Sequence, residues 1–240
     1  MNNISIVSFD GLHNNGKTTH ISLLSEYLKR NNVSVLVRRG DGMRKGEGKE
    51  INDPYSEWWK ENIGRMRATG FEGHESMAAA TEASNRLNGE LYVAKNYFMP
   101  HLIKSEGTKS GVILLDRGPI SRLFVKRREE PNADLNSIAT FDNLSGRHEI
   151  LLPDQIFLFH APLDILISRN LDRESEKSKF NETVLTKYYD DFERVIANLP
   201  DELSKRTERI DSTLPIFEIS QLVNKRVNDT PRAKAHGLLS

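Results

Sequence analysis

Gly11-Leu12-His13-Asn14-Asn15-Gly16-Lys17-Thr18 follows a short apolar run over residues 4–9 and opens into a helical pattern with Ile21, Leu24 and Leu28 on one face. A strand, a glycine-bounded loop ending in Lys-Thr, and a helix are the sequence context of a P-loop. Glycines let successive backbone N–H groups turn inward around a phosphate chain. The helix N-terminus adds unpaired donors and the positive end of its dipole. In such a loop Lys17 reaches the β- and γ-phosphates and the Thr18 hydroxyl sits on Mg²⁺. The competing reading of the same residues is an ordinary glycine turn. The flanking strand and amphipathic helix favour the first, a nucleoside triphosphate site.

Composition sets wider bounds. With 240 residues the chain is long enough to bury a full core, and one α/β domain over 1–240 is expected. Lys plus Arg and Asp plus Glu both number 34, so net charge gives no reason to expect nucleic acid or an anionic membrane as partner. The lack of cysteine excludes disulfides and thiolate metal sites and fits a reducing interior. The first strand starts almost at the N-terminus, leaving no room for a signal peptide. The longest apolar runs, 112–115 and 156–159, are strand-sized. A soluble, cytoplasmic protein is expected.

Residues 33–37 read as a second buried strand. Arg38-Arg39-Gly40-Asp41-Gly42-Met43-Arg44-Lys45-Gly46-Glu47-Gly48 reads as a loop, either at the surface or touching phosphate above the sheet edge. Helical patterns follow at 55–69, with Trp58, Ile63 and Met66 inward, and at 74–105, bent or broken near Gly89 and Pro100. Residues 111–115 are a continuous apolar run of the kind a parallel sheet buries on both faces. That third strand ends in Asp116-Arg117-Gly118-Pro119, and helical segments fill most of 119–148. Pro153-Asp154 introduces a fourth strand, 155–160. Helices are expected at 164–174 and 183–198, a short strand at 207–210, a helix at 215–227, and a loose tail over about 228–240. Arg169, Arg173 and Lys177 recur at i, i+4, i+8, one face of a helix that runs that far. A solvated face, partly balanced by Asp172, Glu174 and Glu176, is the other reading.

Strands alternating with helices imply a five-stranded parallel sheet with helices on both faces and right-handed crossovers. Ligands of such sheets bind at the carboxyl ends of the strands. The glycine loop and Asp116-Arg117 would therefore face one crevice. A GTPase switch wants Asp-x-x-Gly after the third strand and a later Asn-Lys-x-Asp. Here Asp116 is followed by Arg-Gly-Pro, and Asn224-Lys225-Arg226-Val227 lacks the last aspartate. A motor needs further modules, for which the chain has no space. The arginines favour a kinase, because a transferred phosphoryl group needs charge neutralisation and alignment more than covalent chemistry. Arg117 at the strand end, and Arg169 or Arg173 on a segment able to close, suit that need. Asp116 would hold Mg²⁺ directly or through water, unless it is a polar strand end and nothing more.

Phe9-Asp10-Gly11 running into Gly16-Lys17-Thr18-Thr19, then Asp116-Arg117, then Pro153-Asp154 before a strand, resemble the thymidylate kinase family. The stretch 164–195, with Tyr188-Tyr189-Asp190-Asp191-Phe192, is similar to that family's lid and following helix. Ile210-Asp211-Ser212 is similar to the close of its last strand, where adenine is held. The resemblance implies a three-layer P-loop kinase fold and phosphorylation of a nucleotide or nucleoside with ATP and Mg²⁺. It also implies a lid over about 169–182 and often a homodimer. Lys17, Asp116, Arg117, Arg169 and Arg173 would be catalytic, and Thr18 and Asp116 would hold the metal. Leu12, His13, Asn14, Asn15, Gly16, Lys17, Thr18, Thr19 and Ser212 would contact the triphosphate nucleotide.

His13, Arg39, Arg86 and Arg117 would contact the acceptor, and there the chain departs from the family. His13 stands where Asp or Glu is usual. Arg39-Gly40-Asp41-Gly42 replaces Arg-Glu-Pro-Gly-Gly, Gly118 replaces an aromatic residue, and Arg86 lies about a turn early. A neutral His13 could accept one hydrogen bond, whereas a protonated one would donate to an anionic group, with Arg38, Arg39, Arg44 and Arg86 adding to such a crevice; the other reading is that His13 merely points to solvent. The expected partner is a small phosphate acceptor, anionic and nucleotide-like. A kinase for a modified nucleoside, a natural product or a DNA base, and a non-catalytic nucleotide-binding protein, are the alternatives.

Overall fold

All seven residues of the first strand, β1 (Ile4–Asp10), are buried, as a strand covered on both faces requires. Its side chains alternate between two cores. Val7 and Phe9 join Val112, Leu114, Phe157 and Phe159 on one face. On the other, Ile4 and Ile6 join Ile113 and Leu115, and Ile156 and Leu158 join a third cluster. This period of two follows from the pleat. Each large side chain fully withdrawn from water contributes roughly 1.5–3 kcal/mol.

A computed structural model describes residues 3–39, 91, 94–95, 99–135, 152–172 and 181–229. Strands β1, β2 (Ser34–Arg39), β3 (Gly111–Asp116), β4 (Gln155–His160) and β5 (Thr207–Asp211) form one parallel sheet, ordered β2-β3-β1-β4-β5. The helices are α1 (Lys17–Arg30), α2 (Met99–Glu106), α3 (Pro119–Glu129), α4 (Leu163–Leu171), α5 (Glu182–Ala197), α6 (Asp201–Ser204) and α7 (Ile216–Asp229). On the Phe9 face, α1 and α7 insert Ile21, Leu24, Leu28, Ile219 and Val223. Opposite, Met99 of α2 covers the β3 side, and Leu123, Leu166 and Phe192 of α3, α4 and α5 cover β4. This is the expected α/β architecture. Among the described residues, no helix is long and apolar enough to cross a membrane.

Central β1 has β3 on one side and β4 on the other. The chain runs out to β2, back to β3, and then crosses to the far side, so the crevice sits above the carboxyl end of β1. Asp154, singled out before the fourth strand, fixes that neighbour: its Oδ2 accepts from the Ile6 N–H at 2.9 Å, while its own N–H donates to the Ile6 carbonyl at 2.8 Å.

Several boundaries differ from expectation. Helix α3 stops at Glu129, because Pro131 forces the preceding residue out of helical geometry and Glu130 is extended, with φ −127° and ψ 93°. Residues 136–148, the rest of that expected helical stretch, lie outside the described residues. Helix α4 ends at Leu171 with Asp172 as its cap; Arg173, Lys177 and most of the expected lid are likewise outside. The short α6 was not anticipated from the sequence. Helix α7 reaches Asp229, two residues into the expected tail, where Asn228 Nδ2 donates to the Tyr27 hydroxyl at 2.9 Å. The expected 55–69 helix and most of the 38–48 loop and 74–105 helix lie outside the described residues.

Candidate active site

The loop between β1 and α1 is built from backbone conformations that side chains resist. Gly11 has φ 137°, and a Cβ there would lie 2.3 Å from the Phe159 carbonyl oxygen, so only glycine passes. Asn14 and Gly16 follow in the left-handed region, φ 67° and 74°, and α1 then starts at Lys17. Lys17 is buried, and its Nζ donates to the Leu12 carbonyl at 2.6 Å. The ammonium is thus held over the loop's own backbone. Thr18 and Thr19 stand exposed on the first turn.

Register brings the second piece alongside. Phe9 of β1 pairs with Asp116 of β3, which pairs in turn with Arg39 of β2. The Thr18 hydroxyl donates to Asp116 Oδ2 at 3.2 Å, joining two side-chain oxygens that lie 98 residues apart. Arg117 is left-handed, φ 74°, a conformation costing about 1–2 kcal/mol in a non-glycine residue. Its N–H donates to the Phe9 carbonyl at 3.0 Å. Its terminal NH2 lies 3.2 Å from His13 Nδ1 and 3.0 Å from Nε2. A guanidinium only donates and a neutral imidazole has one acceptor nitrogen, so one contact is the bond and His13 accepts in it.

Asp10, which the sequence marked only as part of a motif, holds this corner together. Fully buried, its Oδ1 accepts from the Gly118 N–H at 2.9 Å, the Ser121 N–H at 2.8 Å and the Ser121 hydroxyl at 2.6 Å. Oδ2 accepts from Ser8 at 3.1 Å. The carboxylate satisfies the orphan N–H groups that open α3 and meets the positive end of its dipole. Gly118 is a glycine for want of room: a Cβ would lie 2.6 Å from Ser8 Cβ and 2.7 Å from Asp10 Oδ2.

A second network ties the loop to the ends of β4 and β5. Arg169 donates from one terminal nitrogen to the Asn14 carbonyl at 3.2 Å and the Ser212 hydroxyl at 3.4 Å, and from the other to the Ser212 carbonyl at 2.7 Å. Ser212 donates its hydroxyl to Asn15 Oδ1 at 3.0 Å. Asn14 Nδ2 lies 3.4 Å from Asn170 Oδ1. Beside them the Asp211 carboxyl is held below its ordinary value of 3.8. The Thr213 hydroxyl is the main cause, then the Thr213 N–H, with His160 and Arg169 adding to it. His160 Nε2 meets Glu193 at 2.7 Å and so joins β4 to α5.

The structure therefore brings together Leu12, His13, Asn14, Asn15, Gly16, Lys17, Thr18, Asp116, Arg117, Arg169 and Ser212 along the carboxyl edge of the sheet. The Arg39 side chain, Arg86 and Arg173 lie outside the described residues. Ser121 and Asn170 are additions, and no local pattern announces either.

Fold and loop together define a P-loop α/β fold with a five-stranded parallel sheet. No protein-family model matches the chain, and no curated protein matches it. Among solved structures it is similar to a thymidylate kinase from Ehrlichia chaffeensis, at 17% identity and a TM-score of 0.51, over 94% of this chain and 98% of that one. At that identity the likeness concerns the fold.

Proposed function

We propose that this chain is a phosphotransferase that moves the γ-phosphoryl group of ATP, with Mg²⁺, to a nucleotide or nucleoside. The observation that carries the reading is the meeting of Thr18 and Asp116 at the mouth of a loop holding Lys17, with Arg117 next in sequence. Mg²⁺ dehydrates reluctantly and takes one or two protein oxygens together with phosphate oxygens. A hydroxyl and a carboxylate oxygen 3.2 Å apart fit that donor set. When bound, the ion would neutralise charge on the β- and γ-oxygens.

The chain's own residues supply the rest. Lys17 would exchange the Leu12 carbonyl for phosphate oxygens, since an ammonium over the loop already sits where the chain of phosphates would lie. Loop N–H groups and the α1 N-terminus would hold the β-phosphate. The acceptor oxygen would form its bond to the γ-phosphorus as the bond to the bridging oxygen breaks and ADP leaves. Arg117, on the acceptor side of the loop, would meet the charge spread over the transferring group. The fold neighbour's name, thymidylate kinase, supports a nucleotide-like acceptor.

A kinase for another acceptor is a second reading, favoured by the His13–Arg117 contact. An imidazole accepting from a guanidinium puts no fixed negative charge at that position. Both readings are tested by Mg²⁺-dependent ADP release in the presence of nucleoside monophosphates, nucleosides and other phosphorylated metabolites. One acceptor class should accelerate release at least about tenfold, a barrier difference of about 1.4 kcal/mol. A uniformly slow rate across the panel would leave a non-catalytic binding protein.

A further inference from the structure

Away from the crevice, α3, the turn after it and α5 enclose an open cleft of about 670 Å³, to which neither the 11–18 loop nor Asp116 and Arg117 contribute. Phe124, Ala133 and Val195 are buried on its floor. Its walls carry four cations, Arg127, Arg128, Lys187 and Arg194, against two carboxylates, Asp134 and Asp191. In a chain with no net charge, this local positive excess is a property of the cleft.

Two of the guanidinium groups are fixed by uncharged partners. Arg127 donates from Nε to the Ala133 carbonyl at 2.9 Å and from a terminal nitrogen to the Asn198 carbonyl at 3.1 Å. A guanidinium has five N–H donors, so these bonds orient the group and leave it donors to spare. The Arg128 guanidinium carbon lies 4.3 Å from the Tyr188 ring centroid and 5.9 Å from that of Phe124, so an aromatic platform sets its place. On α5, Lys187, Asp191 and Arg194 share one face by their helical spacing, with Arg194 3.2 Å from Asp191.

We propose that this cleft is a second binding site, for a small molecule carrying a phosphomonoester dianion on a hydroxylated ring. Pre-oriented guanidinium forks match pairs of phosphate oxygens. The apolar floor takes the face of a ring, and Asp134 and Asp191 accept from its hydroxyls. The volume lies within the range of small-ligand pockets, roughly 300–1,000 Å³. A sugar phosphate and a nucleoside monophosphate share this chemistry.

Calorimetric titration of the full chain with ribose 5-phosphate, adenosine 5′-monophosphate and unphosphorylated ribose tests the site. Ribose 5-phosphate should bind wild type and Lys17→Ala alike, and ribose at least about tenfold more weakly. The exposed double substitution Lys187→Glu with Arg194→Glu should weaken the phosphate by a similar factor, and Lys187→Gln alone by less. Tighter binding of the nucleotide than of ribose 5-phosphate, lost in the same double variant, would make the ligand a nucleotide; the reverse order would make it a sugar phosphate. No binding of either phosphate up to about 5 mM overturns the proposal. So does binding that Lys17→Ala abolishes and the cleft variants leave intact. Phosphoryl transfer is assayed separately, so either site can fail without the other.

Discussion

Lys17 and Arg169 both touch the loop backbone, yet the partners they have differ, and so do the effects expected of removing them. Lys17 Nζ donates to the Leu12 carbonyl, while the loop's shape comes from the backbone conformations of Gly11, Asn14 and Gly16. Lys17→Ala should therefore keep the fold and cut phosphoryl transfer about a hundredfold or more, as loss of a preorganised charge contact does. Unchanged circular dichroism alongside the lost rate is the check. Arg169 is engaged with Asn14 and Ser212, bracing the loop against the end of β5. Arg169→Ala should raise the KM for ATP about tenfold with a smaller change in kcat, whereas Arg117→Ala should lower kcat and kcat/KM together. Steady-state kinetics at varied ATP separate the two patterns. At this scale the sequence is only partly readable. Lys17, Thr18 and Asp116 stand in local patterns whose chemistry is explicit. Arg169's brace to Ser212, 43 residues away, and His13's contact with Arg117, 104 away, leave no trace in local spacing.

Elements carry two further consequences, one at each side of the sheet. The N-terminus of α3 hangs on the Asp10 carboxylate, which accepts four hydrogen bonds. Asp10→Ala would strand the Gly118 and Ser121 N–H groups in the interior, at a cost of about 3 kcal/mol. Urea denaturation should show that loss, and Asp10→Asn, which keeps one acceptor oxygen, should show less. On the opposite face, His20 of α1 is buried with its ring 5.3 Å from that of Phe159 and its Nδ1 3.3 Å from the Ser220 hydroxyl of α7. Burial pushes its pKa below the ordinary 6.5. The unfolded chain then takes up this proton at higher pH than the folded one, so stability is full above 6.5 and falls as pH drops below it. Denaturant midpoints should decline as pH falls below about 6.5, and His20→Gln should flatten part of that decline. Most elements are legible from apolar periodicity, because both faces of β1, β3 and β4 must be filled. The end of α3 is the instructive exception: Pro131 stops the helix inside a stretch, 119–148, whose pattern is mostly helical.

For the whole molecule, parallel strands joined by helices leave few topologies, and right-handed crossovers with a loop at each carboxyl end place the glycine loop beside Asp116. That much the chain discloses without coordinates. Strand order and register are a different matter, since β1 pairs with β3 and β4 through contacts between distant segments. The likeness of fold to a thymidylate kinase extends over nearly the whole chain. The activity proposed for the crevice is transfer of the γ-phosphoryl group of ATP. Its most direct test is mass spectrometry of an acceptor panel incubated with ATP and Mg²⁺. One acceptor should become heavier by a single phosphoryl group with wild type and not with folded Lys17→Ala. An acceptor phosphorylated equally by both proteins, or ATP bound tightly with no acceptor ever modified, would contradict it.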